Sequence, residues 1–466
     1  MNKILRFESE SGNKYIYDSN CNIVYLDSRL NDQIFQKSIN QIRQEFENDR
    51  MTDSLETLKT DVNLIQEYIF RNGLKEFLLE VTTSCNLRCK YCIYSQNYPS
   101  NREHGYKLIS CQQAFKAVNL YLDLCEKAKA YNPNIKPMIG FYGGEPLLNF
   151  PVIKAVINKI YENEELKDVQ FTITTNGLLL DEEKINFLVK NNVVVLFSLD
   201  GPKSQHNRNR VDISGKGTFD LAMENINRYI GKRGYAFTNS VYDWKTDVTE
   251  VAEFFDSQPN LLSMAFSPVN DNNTNYYQRF TKEDRIRFFS KLDQIYFNFF
   301  CENDLSQPNT SDFLNGWILK SASGVMTRIP FMEKNSLIKH TGGCVPGDKM
   351  YATVEGDILI CEKLNSSFKI GDIDTGLDYK KIIQIAEEYN LETEDCNKCV
   401  INKLCSICLA SCGSEGVLKL SKNRCEEEIS SVKNRLSVAY SILEKKGNWF
   451  ELFNSNYQKE LRGGQQ

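Results

Sequence analysis

The run Glu80-Val-Thr-Thr-Ser-Cys-Asn-Leu-Arg-Cys-Lys-Tyr-Cys sets Cys85, Cys89 and Cys92 within eight residues. The spacing is C-x3-C-x2-C, and an aromatic residue, Tyr91, directly precedes the last cysteine. Four thiolates close off an iron–sulfur cube, whereas three leave one iron open for a substrate or cofactor. Structural zinc takes four ligands instead, usually in paired C-x2-C units. The loop follows a buried-strand pattern, Phe77-Leu-Leu-Glu-Val, and so falls at the carboxyl end of a strand. Barrel and open-sheet enzymes keep their chemistry at that end.

At 466 residues the chain is long enough for two or three domains, each with its own core. A net charge of −5 implies no general affinity for nucleic acid or an anionic membrane. The first residues lack the apolar core of a signal peptide, and no stretch approaches the ~20 apolar residues needed to span a bilayer. A cytosolic location is expected. Fifteen cysteines in such a chain point to metal or redox chemistry rather than disulfides. Eight of them lie between Cys344 and Cys425. Cys21, Cys111, Cys125 and Cys301 are scattered and read as small buried hydrophobes.

Residues 1–74 read as a separate α+β module. Short strands are expected at Ile4–Phe7, Lys14–Asp18 and Asn22–Asp27, followed by helical periodicity at Gln33–Asn48 and Ser54–Arg71. From 75 to 310, strand patterns alternate with helix patterns, which argues for a parallel sheet wrapped by helices. The strands are expected at Phe77–Val81, Met138–Tyr142, Val169–Thr174, Val193–Leu199, Gly234–Ser240 and Leu262–Pro268. Helices are expected at Ser110–Ala130, Pro151–Asn163, Asp181–Asn191, Thr218–Ile230, Val248–Asp256 and Thr281–Phe300. Residues 311–343 form a connector of weak pattern. Residues 344–430 are poor in regular elements and rich in thiols, so metal is expected to replace a hydrophobic core there. A helix and polar tail occupy 431–466.

With the cysteine loop in place, the chain resembles the radical S-adenosylmethionine (SAM) superfamily. That resemblance implies a partial (β/α)6 TIM-like barrel, matched by the six strand–helix units, and SAM bound at the open iron of a 4Fe–4S cluster. The second strand ends Phe141-Tyr-Gly-Gly-Glu-Pro. Glycines let a backbone approach a ligand closely. In the family this turn holds the amino group of SAM, a role that Gly143, Gly144, Glu145 and Pro146 inherit. The third strand ends Thr174-Thr-Asn-Gly and the fourth Ser198-Leu-Asp-Gly-Pro, putting Thr175, Asn176, Ser198 and Asp200 at the rim. Ser198 and a following arginine meet the SAM carboxylate in similar enzymes. Arg210 is the choice here, since a guanidinium pairs with a carboxylate in a two-pronged fork. Relatives carry His-Asp after the Asp-Gly-Pro turn, whereas this chain has His206-Asn207.

The C-terminal thiols run Cys344-x11-Gly356-x4-Cys361, then Cys396-x2-Cys399-x5-Cys405-x2-Cys408-x3-Cys412, then Cys425. The pattern resembles the SPASM extension of peptide- and protein-modifying radical SAM enzymes, which carries two auxiliary iron–sulfur clusters and brings the total to three. By resemblance Cys396, Cys399, Cys405 and Cys425 hold the outer cluster. Cys344 and Cys361 hold the inner one, completed by Cys408, Cys412 or both. A zinc-ribbon-like module is the alternative, because C-x2-C pairs suit zinc. Glu362, next to Cys361, is placed to take a proton if the inner cluster faces the barrel mouth.

The resemblance implies an enzyme that abstracts hydrogen through a 5′-deoxyadenosyl radical, fed by reduced flavodoxin or ferredoxin. The expected substrate is a ribosomally made precursor peptide whose leader is gripped by the N-terminal module through strand addition. The alternative for that module is a capping extension of the barrel. An oxidative cross-link, first of all a thioether, is the expected product. A formylglycine-generating sulfatase maturase is the alternative within the superfamily, and a non-catalytic iron–sulfur or zinc scaffold for a peptide is the alternative outside it.

Overall fold

The computed structural model describes residues 3–41, 62–301, 311–326, 337–338, 344–414 and 416–445, with no account of the side chains of residues 300 and 301. The N-terminal strands are β1 (Ile4–Glu8), β2 (Lys14–Asp18) and β3 (Ile23–Leu26), an antiparallel sheet in the order β1-β2-β3. Residues 33–41 are helical, and α1 spans Val62–Asn72; residues 54–61 of the expected helix 54–71 and residues 42–48 of 33–48 lie outside the described residues.

The barrel follows as β4 (Glu76–Thr82), α2 (Cys111–Ala128), β5 (Met138–Gly143), α3 (Phe150–Tyr161), β6 (Gln170–Thr175), α4 (Glu182–Lys190) and β7 (Val194–Ser198). It continues through α5 (Lys203–Asn209), α6 (Phe219–Arg233), β8 (Ala236–Tyr242), α7 (Val248–Asp256), β9 (Leu261–Pro268) and α8 (Lys282–Cys301). Strands β4 to β9 pair in parallel and in chain order. Local signals set these boundaries. Ser110 starts α2 with a capping box closed by Gln113, and Asp181 caps α4 through the Lys184 amide. On β6, Phe171 and Ile173 are buried while the intervening Thr172 and Thr174 are half-buried, the period of two that a strand imposes. Phe77, Phe141, Phe171 and Phe197 are all fully buried, each contributing about 1.5–3 kcal/mol.

The segment expected as a connector contains helix α9 (Asp312–Met326). After it come β10 (Lys349–Ala352), β11 (Asp357–Leu359), β12 (Lys369–Asp372) and β13 (Gly376–Leu377), then α10 (Tyr379–Glu392), α11 (Leu409–Cys412), β14 (Gly413–Ser414), β15 (Val417–Leu418) and α12 (Lys422–Lys445). Strand β10 pairs in parallel with β4, and β11 to β13 continue as an antiparallel meander. The result is one ten-stranded sheet in the order β13-β12-β11-β10-β4-β5-β6-β7-β8-β9.

That addition corrects the expectation that metal replaces the core beyond residue 344. Met350, Ala352, Ile358, Ile360, Phe368 and Ile370 are buried in the same apolar cluster as the barrel strands. Strands of two to four residues carry too little periodicity to be read locally, and they gain their burial from the edge of β4. A second cluster joins Leu5, Phe7 and Tyr17 of the N-terminal sheet to Ile401, Leu404, Val432 and Leu436. Among the scattered cysteines, Cys21 and Cys125 are buried, but Cys111 is exposed at the start of α2. Apolar neighbours in the sequence put Cys111 wrongly in the core, since the first turn of α2 faces outward. Among the described residues no helix is long and apolar enough to cross a membrane.

Candidate active site and cysteine centres

Cys85, Cys89 and Cys92 leave the carboxyl end of β4, and the ends of the neighbouring strands wrap around them. Burial pushes the Cys85 and Cys89 thiols up to about 12 and raises Cys92 as well; Arg210 pulls Cys89 back in part. The Leu87 amide donates to Cys85 Sγ at 3.4 Å. The turn after β5 is pressed onto this loop. The Gly144 amide donates to the Thr82 carbonyl and the Glu145 amide to that of Ser84. A Cβ on Gly144 would stand 2.1 Å from the Ser84 carbonyl oxygen, and one on Gly143, at φ +142°, 2.2 Å from that of Thr82. Only glycine permits this approach. Pro146 opens the short 3-10 turn that follows and is buried.

Glu145 is 1% exposed. Its carboxylate accepts from Thr175 Oγ1 at 2.7 Å, the Asn176 amide at 2.8 Å and the Leu147 amide at 3.1 Å. Burial pushes its carboxyl up to about 7 against the pull of those donors. Asn176 passes the connection on, since its Nδ2 donates to Asn86 Oδ1 at 2.8 Å inside the cysteine loop. Three strand ends are thereby tied to one loop.

Opposite them, Tyr91 donates its hydroxyl to Asp200 Oδ2, and Arg210 Nε donates to the same oxygen at 3.1 Å. The Arg210 guanidinium also lies 5.3 Å from the centre of the Tyr91 ring. Asp200 Oδ1 accepts from the Val241 amide at 3.2 Å, which anchors the group to β8. Ser198 ends β7 half-buried beside it. Asn207 takes a structural place: its Oδ1 accepts from the Phe219 amide at 2.9 Å at the start of α6, as an aspartate would.

Two polar networks support the site that the sequence did not announce. In the first, Asp243, 1% exposed, accepts from Arg208 at 2.6 Å, Tyr276 at 2.6 Å and Asn209 at 3.0 Å. Burial would raise its carboxyl, but Arg208 and these donors hold it below the usual range. Tyr276 is buried in this network with its ring 6.4 Å from that of Tyr91. In the second, Arg102 donates to Glu80 at 2.7 Å, to the Tyr94 hydroxyl at 3.0 Å and to the Glu362 carbonyl at 3.2 Å. Its guanidinium sits 4.9 Å from the Tyr94 ring centre and 4.6 Å from that of Tyr351.

This second network joins the cysteine loop to the segment carrying Cys361 and Glu362. The Glu362 side chain is 13% exposed and pairs with Lys349 at 3.5 Å, so it is turned inward rather than solvated. Cys408 lies close enough to Cys344 and Cys361 for its charge to act on both thiols. Cys396, Cys399, Cys405 and Cys425 line a single pocket beneath Tyr389 and Leu420. Cys412 stands between the two groups, next to Cys408 first and then Cys425 and Cys396. Burial pushes the Cys361, Cys396 and Cys412 thiols up to about 12 and Cys405 up to about 11.

The sequence model of the radical SAM superfamily matches residues 79–241, the stretch that holds the cysteine loop and the ends of β4 to β8. Residues 79–241 are a radical SAM domain. The chain is 25% identical over 361 residues to the radical SAM cyclopropyl synthase TigE of Paramaledivibacter caminithermalis, covering 76% of this chain and 72% of that one. It is 26% identical over 343 residues to a cysteine-type anaerobic sulfatase-maturating enzyme of Clostridium novyi, covering 70% and 88%. A solved structure, native anSMEcpe with bound AdoMet, superposes with a TM-score of 0.56 at 21% identity, covering 78% of this chain and 98% of that one. The last likeness concerns the fold.

Radical SAM enzymes bind SAM together with a 4Fe–4S cluster, and the residues here fit both. Three thiols are the donor set that leaves an iron open. The glycine turn is a cradle that a single Cβ would fill. Gly144→Ala is therefore expected to force the turn off the loop, costing about 1–3 kcal/mol, and to weaken SAM binding measured by equilibrium dialysis. Retained affinity would show that the turn yields without consequence.

Proposed function

We propose that this radical SAM enzyme matures a ribosomally made precursor peptide by an oxidative cross-link, first of all a thioether from a cysteine sulfur to carbon. The observation that carries the reading is the pair of thiol groups beside the barrel, one lining a single pocket and the other adjoining Glu362. Two such groups suit two auxiliary 4Fe–4S clusters, three in all. Cys396, Cys399, Cys405 and Cys425 would hold the outer one, and Cys344, Cys361 and Cys408 the inner one, with Cys412 placed to join it.

When bound, SAM and its cluster supply a 5′-deoxyadenosyl radical that removes hydrogen from an unactivated C–H bond. The chain supplies position and exclusion. Cys85, Cys89 and Cys92 would hold the cluster. Because Glu145 already serves three donors, the Gly143–Pro146 turn would hold the SAM ammonium with its carbonyls and remaining lone pairs. Thr175 and Asn176 keep that turn in register with the cysteine loop. Arg210, fixed by Asp200 and set over the Tyr91 ring, would present its remaining N–H groups to the SAM carboxylate beside Ser198. Glu362, held by Lys349, takes a proton from the substrate. The β1–β3 sheet offers an edge for a leader strand, reduced flavodoxin or ferredoxin supplies the electron, and the reaction takes place in the cytoplasm.

Likeness to sulfatase-maturating enzymes over 70% of the chain supports formylglycine formation as the second reading. One experiment separates the two. The reconstituted enzyme is given SAM and reduced flavodoxin, with either a leader-bearing, cysteine-containing precursor or a sulfatase peptide. Loss of two hydrogens from the precursor, with its thiol no longer alkylatable, is expected. An unchanged precursor alongside an aldehyde on the sulfatase peptide would overturn the first reading for the second.

A further inference from the structure

The loop that returns from the cysteine motif brings His104 back against it. The His104 amide donates to the Tyr94 carbonyl at 3.2 Å, and the next amide, of Gly105, donates to the Thr83 carbonyl at 3.0 Å. These bonds fix the backbone on both sides of the imidazole. The ring stands edge-on to Tyr94, with centres 6.1 Å apart and planes at 80°. In that pose His104 Nε2 lies 3.5 Å from Cys92 Sγ. Nδ1 is buried without a hydrogen bond of regular geometry, although the Thr83 carbonyl comes near enough to the ring to favour its protonated form against burial and Arg88.

A thiolate at Cys92 selects which nitrogen carries the proton. A cysteine bound to iron is a thiolate and acts only as an acceptor. A bare nitrogen lone pair facing it would be repelled, whereas an N–H is attracted. A proton on Nε2 therefore satisfies the contact and leaves at Nδ1 only an unused lone pair, which costs less than a buried orphan N–H. We propose that His104 donates a hydrogen bond from Nε2 to the Cys92 thiolate and thereby raises the reduction potential of the centre held by Cys85, Cys89 and Cys92. Reduction adds negative charge to the centre. A donor aimed at a ligand sulfur stabilises the reduced form more than the oxidised one, and such bonds are among the levers that set cluster potentials. Cys85 receives its own bond from the Leu87 backbone amide. Cys92 is also faced by the Tyr94 backbone amide, whereas its contact with His104 comes from a side chain and can be removed by substitution. His104 is a positioning and tuning residue.

The inference rests on the reading of this loop as the SAM-binding 4Fe–4S site. Its test is a redox titration followed by electron paramagnetic resonance of the signal that changes when SAM is added, since only a cluster with an open iron meets SAM. His104→Leu is expected to lower the ratio of reduced to oxidised cluster at a fixed potential at least threefold, about 28 mV toward negative values. His104→Gln, which restores a donor, should recover at least half of that shift. A leucine variant that titrates with the wild type overturns the inference. Should leucine prevent assembly, wild-type protein labelled with nitrogen-15 histidine decides. The chain has three histidines, and a coupling from one of them is expected in the SAM-responsive signal. Absence of that coupling overturns the inference with the loop reading intact. Absence of any SAM-responsive signal in wild type overturns both.

Discussion

Cys89→Ala is expected to abolish SAM cleavage, with 5′-deoxyadenosine falling more than about 10³-fold, and to lower the iron content by about four per chain. Two thiols cannot hold a cube that a buried loop built for three must keep from water. The same burial sets a pH dependence. In the cluster-free protein the Cys89 thiol is pushed up from its ordinary 9 to about 12, chiefly by desolvation. A raised thiol stabilises the folded apoprotein fully below its unfolded value and loses that contribution as pH climbs toward about 12. Iron must displace those protons, so reconstitution is expected to improve from pH 6 to pH 9. Cys111→Ala, an exposed position outside all three thiol groups, is the control and should leave both readouts unchanged. Undiminished cleavage in Cys89→Ala would overturn the assignment of this loop.

Arg102→Met is expected to destabilise the fold by about 3–5 kcal/mol, because it strands a buried carboxylate. Glu80 is 3% exposed on β4 and forms an ion pair with Arg102 at 2.7 Å. Its other partners are the Tyr351 hydroxyl at 2.9 Å and the Val354 amide at 3.1 Å, both from the C-terminal addition to the sheet. The arginine thus clamps β4 to the hairpin β10–β11 while also holding the Glu362 carbonyl. Glu80→Met in the Arg102→Met background should recover part of the loss, since no charge is then left buried. Thermal unfolding of the three variants measures this. A single variant as stable as wild type would mean that water reaches Glu80 readily and that the clamp carries no weight.

The parts of this protein that were legible share one property: their signal lies within a few residues. The C-x3-C-x2-C loop is read from spacing alone. Strands such as Met138–Gly143 and helices such as Val248–Asp256 carry their own period and their own caps, and the structure places them within two residues of the sequence reading. The turn Gly143-Gly144-Glu145-Pro146 is a short string, and its glycines meet the backbone of the cysteine loop as a close approach requires.

What was not legible depends on partners far along the chain. The strands β10 to β13 are two to four residues long and become strands because β4 offers them an edge. Helix α9 is apolar over much of its length, without the clear two-sided pattern that would have marked it. Asp243 and Arg208 are unremarkable in sequence, and their pairing exists only because the ends of β8 and α5 converge.

By itself the sequence determined the chemistry available: three thiols on a strand end, a glycine turn to approach them, and a second field of eight thiols. Tertiary structure alone decided which of those thiols are neighbours, with Cys408 brought to Cys344 and Cys361 across gaps of 64 and 47 residues. It also turned Glu362 inward onto Lys349 and put His104 against Cys92. Covalent spacing constrains residues a few positions apart, whereas contacts across long loops are selected by the burial and pairing of the whole sheet, which no local pattern contains.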